Sequence, residues 1–372
     1  MSEWKKVKLG EVSQYVNDKI AISAINESYY VSTDSMLKDR GGIIAPESIP
    51  TDGKVTKYQC DDILVSNIRP YFKKIWFSNR EGGCSNDVLV FRAQKSITSR
   101  YLYYILSGDS FFEHMMAGAN GTKMPRGNKK LILNYSFELP PYLIQEQITA
   151  ILSRYDSLIE NYQKQIKLLE ETAQRLYKEW FVNLHFPGHE KTKIVDGVPE
   201  GWEKSSLCQI AEFKRGKTIT KKETIKGSVP VVAGGVNPAY YCNKSNTAER
   251  VITISASGYA GFVKMYYENV WASDCSYIDI SLTNYLHFIY CYLKHNQTTI
   301  YNMQKGSAQQ HVYAKDINAM LICVPSEELL KLFEQKASIY FGVIASLQLQ
   351  IKHLTEARDR LLPKLMSGEI AV

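Results

Sequence analysis

The 372-residue chain repeats itself with a period of about 185 residues, and this repeat restricts its possible folds more than any other feature. YLYYIL at 101–106 is echoed by YLHFIY at 285–290, GTKMPR at 121–126 by GSAQQH at 306–311, and FELPP at 137–141 by ICVPS at 322–326. EQI at 146–148 answers EQK at 334–336, and IKLLEETAQRL at 166–176 answers IKHLTEARDRL at 351–361. The start recurs too: Trp4, Leu9 and Val12 have counterparts in Trp202, Leu207, Ile210 and Ala211. A chain of this length already exceeds one ordinary core, so each copy is expected to fold around its own.

Both copies have the same internal order. Runs rich in β-branched and aromatic residues, such as DILVSNI, DVLVF, VITISAS and SYIDIS, come first and are broken by Gly, Asn and Asp. Prolines follow (Pro140 and Pro141, then Pro325), and after them a long helical pattern. In the first helix Leu152, Ile159, Ile166, Ala173 and Trp180 fill one heptad position, and Tyr155, Tyr162, Leu169 and Leu176 the other. In the second the seam is Ala337, Ile344, Ile351, Arg358 and Leu365 with Tyr340, Leu347, Leu354 and Leu361. Arg358 alone breaks the apolar rule, and Pro363 is expected to end that helix near its last turn.

Two seams in matching phase should pack on each other. The second β-rich region begins where the first helix ends, so the second helix has to run back along the first and the pair should be antiparallel. A helix of about 35 residues makes a rod of about 50 Å at 1.5 Å per residue. The expected fold is α+β: two tandem mixed β/α domains (1–140 and 184–325, the latter opening with a linker at 184–200) alternating with helical spacers at 141–183 and 326–372.

Composition narrows the class. At 45% hydrophobic and 22% charged residues the chain is globular throughout. No apolar run approaches the length of a membrane span, and the N-terminus lacks the pattern of a secretory leader, so a cytoplasmic protein with no membrane partner is expected. The seven cysteines form no CxxC pair, which argues against a zinc knuckle or a disulfide framework. A net charge of +7 permits nucleic-acid binding without establishing it. The 25 tyrosines suit a wet recognition surface, since each pairs a flat apolar face with a hydroxyl.

Two related heads held apart in opposed orientation match half-sites on a duplex, which repeat about every 34 Å. SNIRPYFKKIWFSNREGGCSNDVLVFRA (66–93), GTKMPRGNKK (121–130), SASGYAGFVKMYY (255–267) and GSAQQH (306–311) resemble sequences of the specificity subunits of Type I restriction-modification systems, and the likeness covers essentially the whole chain. That resemblance implies two target recognition domains, each reading half of a bipartite double-stranded DNA sequence. It further implies no catalysis of its own and no cofactor, with two methyltransferase subunits, and a motor-nuclease subunit in the restricting form, docked on the chain.

The rival classes are a catalytic DNA methyltransferase and a coiled-coil adaptor. NPAY at 237–240 and LPPY at 139–142 approach the loop with which amino-methyltransferases hold an exocyclic amine, but neither comes with a Gly-rich strand-to-helix turn for the methyl donor. ASGYAG at 256–261 lacks the Lys-Ser/Thr of a phosphate loop, and the seven histidines show no metal-ligand spacing. An adaptor would leave both Tyr-rich heads unexplained.

For DNA contact the residues singled out are Arg69, Tyr71, Lys73 and Lys74 of RPYFKK, and Lys123, Arg126, Lys129 and Lys130 before the closing strand of the first head. In the second head they are Tyr259 and Lys264, then Ser307, Gln309, Gln310 and His311, and the basic loop residues Lys214, Arg215 and Lys217. Lysines there would neutralise phosphates, Arg would fork onto guanine and Gln onto adenine. The heads differ most in these loops, so an asymmetric target is expected.

Overall fold

The β-rich runs become short strands in a computed structural model that describes residues 4–46, 48–307 and 309–372, with the Glu27 side chain undescribed. Two compact units result: residues 1–159 with 352–372, and residues 160–351. Each is taken by itself.

In the first unit a four-stranded antiparallel sheet runs in the order Ser13–Tyr15, Val88–Ala93, Ile63–Ser66, Ile75–Phe77. The apolar run explains its centre, because Ile63, Leu64 and Val65 are all fully buried between the faces. A second sheet is ordered Lys19–Ala21, Lys54–Tyr58, Gly82–Cys84, Tyr30–Val31. The helix Ser99–Ser107 starts where the Thr98 side chain accepts from the Tyr101 N–H at 3.2 Å, and it buries Tyr101, Leu102 and Leu106 against the first sheet. The strand Lys5–Lys8 pairs antiparallel with Ser136–Leu139, the last strand before the long helix, and Leu9 and Val12 drop into the core just beyond it.

The second unit repeats the scheme. Its four-stranded antiparallel sheet is Lys214–Arg215, Cys275–Asp279, Val251–Ser255, Val263–Tyr266, and a smaller sheet is ordered Tyr240–Cys242, Val229–Val232, Trp271–Ala272. The strand Glu203–Ser206 pairs with Leu321–Val324, again the last strand before a long helix. Trp202, Leu207 and Ala211 are buried here, so the second beginning is a real second copy of the closing strand and its core anchors.

The long helices are Tyr142–Tyr177 and Glu327–Met366. The first unit holds the start of the first helix and the end of the second, whereas the second unit holds the end of the first and the start of the second. Within the first unit Ile148 and Leu152 join Leu365 in one core, packed by Leu361, Leu362 and Met366. Within the second, Ala173, Tyr177 and Trp180 join Phe333, Ala337, Phe341 and Ile344, packed by Ile166, Leu169, Leu176 and Tyr340. In both units the two segments therefore meet with opposite chain sense. Of the other seam residues Leu347 is buried, and Tyr155, Ile159, Tyr162, Ile351 and Leu354 are half-buried.

Two helix ends fall near the expected positions but carry details that the heptad did not show. The first helix is regular to Tyr177 and then makes a π-helical turn over Lys178–Val182, which puts Trp180 among Tyr177, Phe181 and Phe333. The second does not stop at Pro363 but continues to Met366. Proline removes one N–H near a helix end, where little ladder remains to lose. Leu365, 1% exposed, and the Ser367 N–H donating to the Pro363 carbonyl at 3.0 Å hold the final turn.

The one charged seam residue is answered in kind. Arg358 donates to Asp156 at 2.8 Å, and the Tyr104 hydroxyl donates to the other Asp156 oxygen at 2.5 Å. Burial alone would lower the Arg358 pKa, but its hydrogen bond and charge pairing with Asp156 raise it. Replacing Arg358 by Ala leaves a largely covered carboxylate with one donor, so Arg358→Ala should cost about 1–3 kcal/mol in urea unfolding of the full chain. The double variant Arg358→Leu/Asp156→Leu should recover much of that loss, because an apolar pair of similar volume is no worse than a partly buried ion pair.

Candidate nucleic-acid interface

In the first unit two loops far apart in sequence are stitched together. The Arg69 N–H donates to the Pro125 carbonyl at 2.8 Å and the Gly127 N–H to the Asn67 carbonyl at 3.2 Å, and Arg126 forms bridges with both Ile68 and Asn120. Pro70–Phe72 makes one 3-10 turn, flanked by Arg69 and Lys73, both at φ +49°. Non-glycine residues accept that conformation at a cost, so the turn is held by what surrounds it. A basic turn from elsewhere does the holding: the Asp39 N–H donates to the Phe72 carbonyl, the Arg40 N–H to the Lys73 carbonyl, and Lys38 sits 4.1 Å over the Phe72 ring.

The side chains divide into free and committed ones. Tyr71, Lys123, Arg126 and Lys129 are exposed. Lys129 opens the short helix Lys129–Ile132, where Asn128 caps the N–H groups of Lys130 and Leu131. Lys73 donates to Asp109 at 2.8 Å, and Arg40 meets the same carboxylate. Lys73, then Arg40, hold the Asp109 carboxyl below the usual carboxylate range. Lys74 donates to the Thr33 carbonyl at 2.6 Å, and burial lowers its pKa. Arg126 reaches Asp87 at 3.2 Å. Arg69 Nε and Asn67 Oδ1 are buried with no hydrogen-bond partner among the described residues, so polar capacity is left at the base of this loop cluster.

The second unit builds the same junction from other residues. The Ala256 N–H donates to the Asp274 carbonyl at 3.1 Å, the Val312 N–H to the Ala256 carbonyl at 3.0 Å, and Lys305 bridges His311. Gly258 lies at φ +65°, and a Cβ there would come within 2.6 Å of the Gly234 carbonyl, so the loop 257–261 can seat on the 233–236 turn only as glycine. Seated that way, the Tyr259 N–H donates to the Gly234 carbonyl at 2.7 Å and its ring stays exposed. Lys264 donates to the Val236 carbonyl at 3.1 Å and lies 4.8 Å over the Tyr266 ring, and burial lowers its pKa.

Arg215 reaches Asp274 at 2.5 Å, and the Ser257 hydroxyl contacts the other oxygen of that carboxylate. Lys217 is fixed by its backbone, donating to the Ala272 carbonyl at 2.9 Å and accepting from Trp271 Nε1 at 2.7 Å. Its side chain, like that of Lys214, is exposed. Ser307, Gln309 and Gln310 are exposed, and His311 is half-buried with its ring stacked on Tyr313 at 6.0 Å.

The tertiary fold thus gathers Arg69, Tyr71, Lys73, Lys74 and Arg126 in one unit, and Arg215, Tyr259 and His311 in the other. Sequence reasoning missed Lys38, Arg40, Asp87, Asp109 and Asp274. KDRGG at 38–42 did carry a signal, a basic turn next to paired glycines, but single aspartates among many carry none. The two methyltransferase-like tetrapeptides are structural. Tyr240 of NPAY donates its hydroxyl to the Ile219 carbonyl at 2.8 Å, and LPPY joins a closing strand to a long helix. Among the described residues no group of three or more His, Cys, Asp or Glu is arranged to hold a metal ion, and no helix is long and apolar enough to cross a membrane.

Comparison with known proteins follows the same division. The chain is 27% identical over 304 residues to the MjaIX specificity subunit of a Type I restriction enzyme from Methanocaldococcus jannaschii, covering 74% of this chain and 70% of that one. It is 23% identical to the HindI specificity subunit from Haemophilus influenzae over the full length of both. The S subunit of a Type I restriction-modification system from M. genitalium has a similar fold, with a TM-score of 0.56 at 18% identity over 98% of this chain and 96% of that one. The profile of the Type I restriction modification DNA specificity domain matches twice, at 1–171 and 199–339, once per repeat. With two such matches spanning most of its length, the chain belongs to the Type I restriction modification DNA specificity family.

Proposed function

We propose that this chain is the non-catalytic subunit that reads an asymmetric bipartite target in double-stranded DNA, one half-site per recognition domain, with domains at 1–140 and 184–325 and helical spacers at 141–183 and 326–372. One observation carries the reading. The same backbone junction is built twice, and the residues exposed on it differ: Tyr71 and Arg126 on one copy, with Arg69 half-buried beside them, and Arg215, Tyr259, Gln309 and Gln310 on the other. A scaffold kept constant while its polar surface changes is what reading two different base sequences requires.

The exposed lysines at 123, 129, 214 and 217 serve phosphates, and the arginines and glutamines serve base edges. Lys73 and Lys74 hold the first loop in shape, since both are spent on protein acceptors. The long helices offer a surface for methyltransferase subunits and, in a restricting assembly, motor-nuclease subunits, which supply the chemistry in the cytoplasm.

Methylation mapped genome-wide in a host carrying the chain with its methyltransferase tests the division of labour. Arg126→Ala should relax one base pair of the first half-site, by about 1–3 kcal/mol of discrimination, and leave the second half-site unchanged. Equal degradation of both half-sites would sink the assignment. The purified chain alone, given S-adenosylmethionine and DNA, should transfer no methyl group.

The spacing role has its own test. Inserting four residues after Thr172 lengthens the first helix by about 6 Å. At roughly 3.4 Å per base pair along the duplex, the gap between half-sites should grow by one to two base pairs while the bases read stay the same. Some loss of stability is expected, because four residues fit a heptad only as a stutter. A variant with full activity and the parental gap would show that the helices set no distance.

A further inference from the structure

We propose that Asp87 and Asp274 are positioning residues, each orienting one arginine so that its remaining donors fork onto a guanine; this rests on the reading that the loop clusters face DNA. The two aspartates occupy the same place in the two units. Asp87 directly precedes the strand Val88–Ala93 and Asp274 directly precedes Cys275–Asp279, each the second strand of its four-stranded sheet. The Asp87 carbonyl accepts from the Asn67 N–H at 2.8 Å and the Asp274 carbonyl from the Ala256 N–H at 3.1 Å, and those residues in turn accept from Gly127 and Val312. The backbone of each aspartate is thus fixed at the junction, and its carboxylate stands beside the variable loops.

The arginine each carboxylate holds comes from a different part of the chain. Asp87 takes Arg126, from the loop before the closing strand. The second unit has His311 at that position, stacked on Tyr313, and Asp274 takes Arg215 from the sheet's first strand instead. The acceptor is constant and the donor is replaced, so the shared feature is a carboxylate holding a guanidinium, whichever loop supplies it. Stability does not account for the recurrence. Arg126 and Asp87 are 57% and 35% exposed and Arg215 and Asp274 are 47% and 30% exposed, and ion pairs so open to water add little.

Orientation does account for it. A guanidinium presents five donors in a rigid plane, and a carboxylate on Nη2, both oxygens of Asp87 on Arg126 and one of Asp274 on Arg215, constrains that plane while leaving the other nitrogens' donors free. Guanine O6 and N7 need two of them side by side. The Ser257 hydroxyl on the second oxygen of Asp274 limits that carboxylate's own rotation. A carboxylate at a DNA surface also repels phosphate, so it lowers affinity for every sequence while sharpening one position.

That opposition gives a test a structural role would not mimic. The full chain, assembled with its methyltransferase, is assayed on duplexes carrying the parental motif and every single-base change in it. Asp87→Ala should lower discrimination at one base pair of the first half-site about tenfold, the size of one bidentate contact, and should raise binding to unrelated DNA. Asp274→Ala should do the same in the second half-site only, and Asp87→Asn, which keeps an acceptor, should fall between Ala and the parent. Unchanged discrimination in the Ala variants while Arg126→Ala alters the motif would overturn the positioning role and leave the DNA-reading function standing. Cognate and unrelated binding falling together with the melting temperature would overturn it as well, marking the pairs as structural. If Arg126→Ala and Arg215→Ala both leave the motif intact, the placement of DNA on these loops is itself wrong.

Discussion

Everything in each unit depends on one short pairing. Lys5–Lys8 lies against Ser136–Leu139, and Glu203–Ser206 against Leu321–Val324, so the start of each β-rich region is hydrogen-bonded to the strand from which a long helix departs. Four backbone partners per pairing would hold little by themselves. They hold because apolar anchors follow at once: Leu9 and Val12 in the first unit, Leu207 and Ala211 in the second, all nearly or fully buried. Closing the region this way fixes where the helix begins, and with it the position of the loops relative to the helix root.

Within that frame rigidity is concentrated at the base of the loops and variety at their tips. The junction made by residues 67, 87 and 127 in one unit and 256, 274 and 312 in the other consists of backbone hydrogen bonds, which depend little on side-chain identity apart from the close fit at Gly127. The tips can therefore change composition without disturbing the sheets. The first unit spends charge to shape its loop, with Lys73, Lys74 and Arg40 bound to protein acceptors, whereas the second uses the close approach of Gly234 and Gly258. The second unit also binds Lys264 and Arg215 to protein acceptors, so the two loops share a charge-based device and differ in the added close glycine approach.

The helix seam shows the same economy. Its single charged residue, Arg358, does not break the packing, because Asp156 and Tyr104 complete a small polar network around it. A buried polar group with partners specifies register more sharply than an additional leucine would, since any slip leaves the charge alone.

The repeat, the alternation of β-rich regions with helices, and the heptad seam were all legible in the sequence. They are written in periodicity, which local propensity and side-chain spacing express directly. The candidate loops were legible as well, as runs such as RPYFKK and SGYAGFVK between apolar strands. Which of their charges stay free was not. Lys73, Lys74 and Lys264 read in one dimension only as basic loop residues, and only folding brings Asp109, Thr33 and Val236 within hydrogen-bonding reach of them. Pro363 reads as a helix stop because its local cost is certain, yet the burial of Leu365 outweighs it. Asp87 and Asp274 carry no local signal at all, since each meets an arginine from a distant segment. The sequence by itself determined the elements and their repetition, because those follow from interactions within a few residues. The tertiary structure alone decided which charges are spent and which are presented, because ion pairing depends on distances that only chain closure creates.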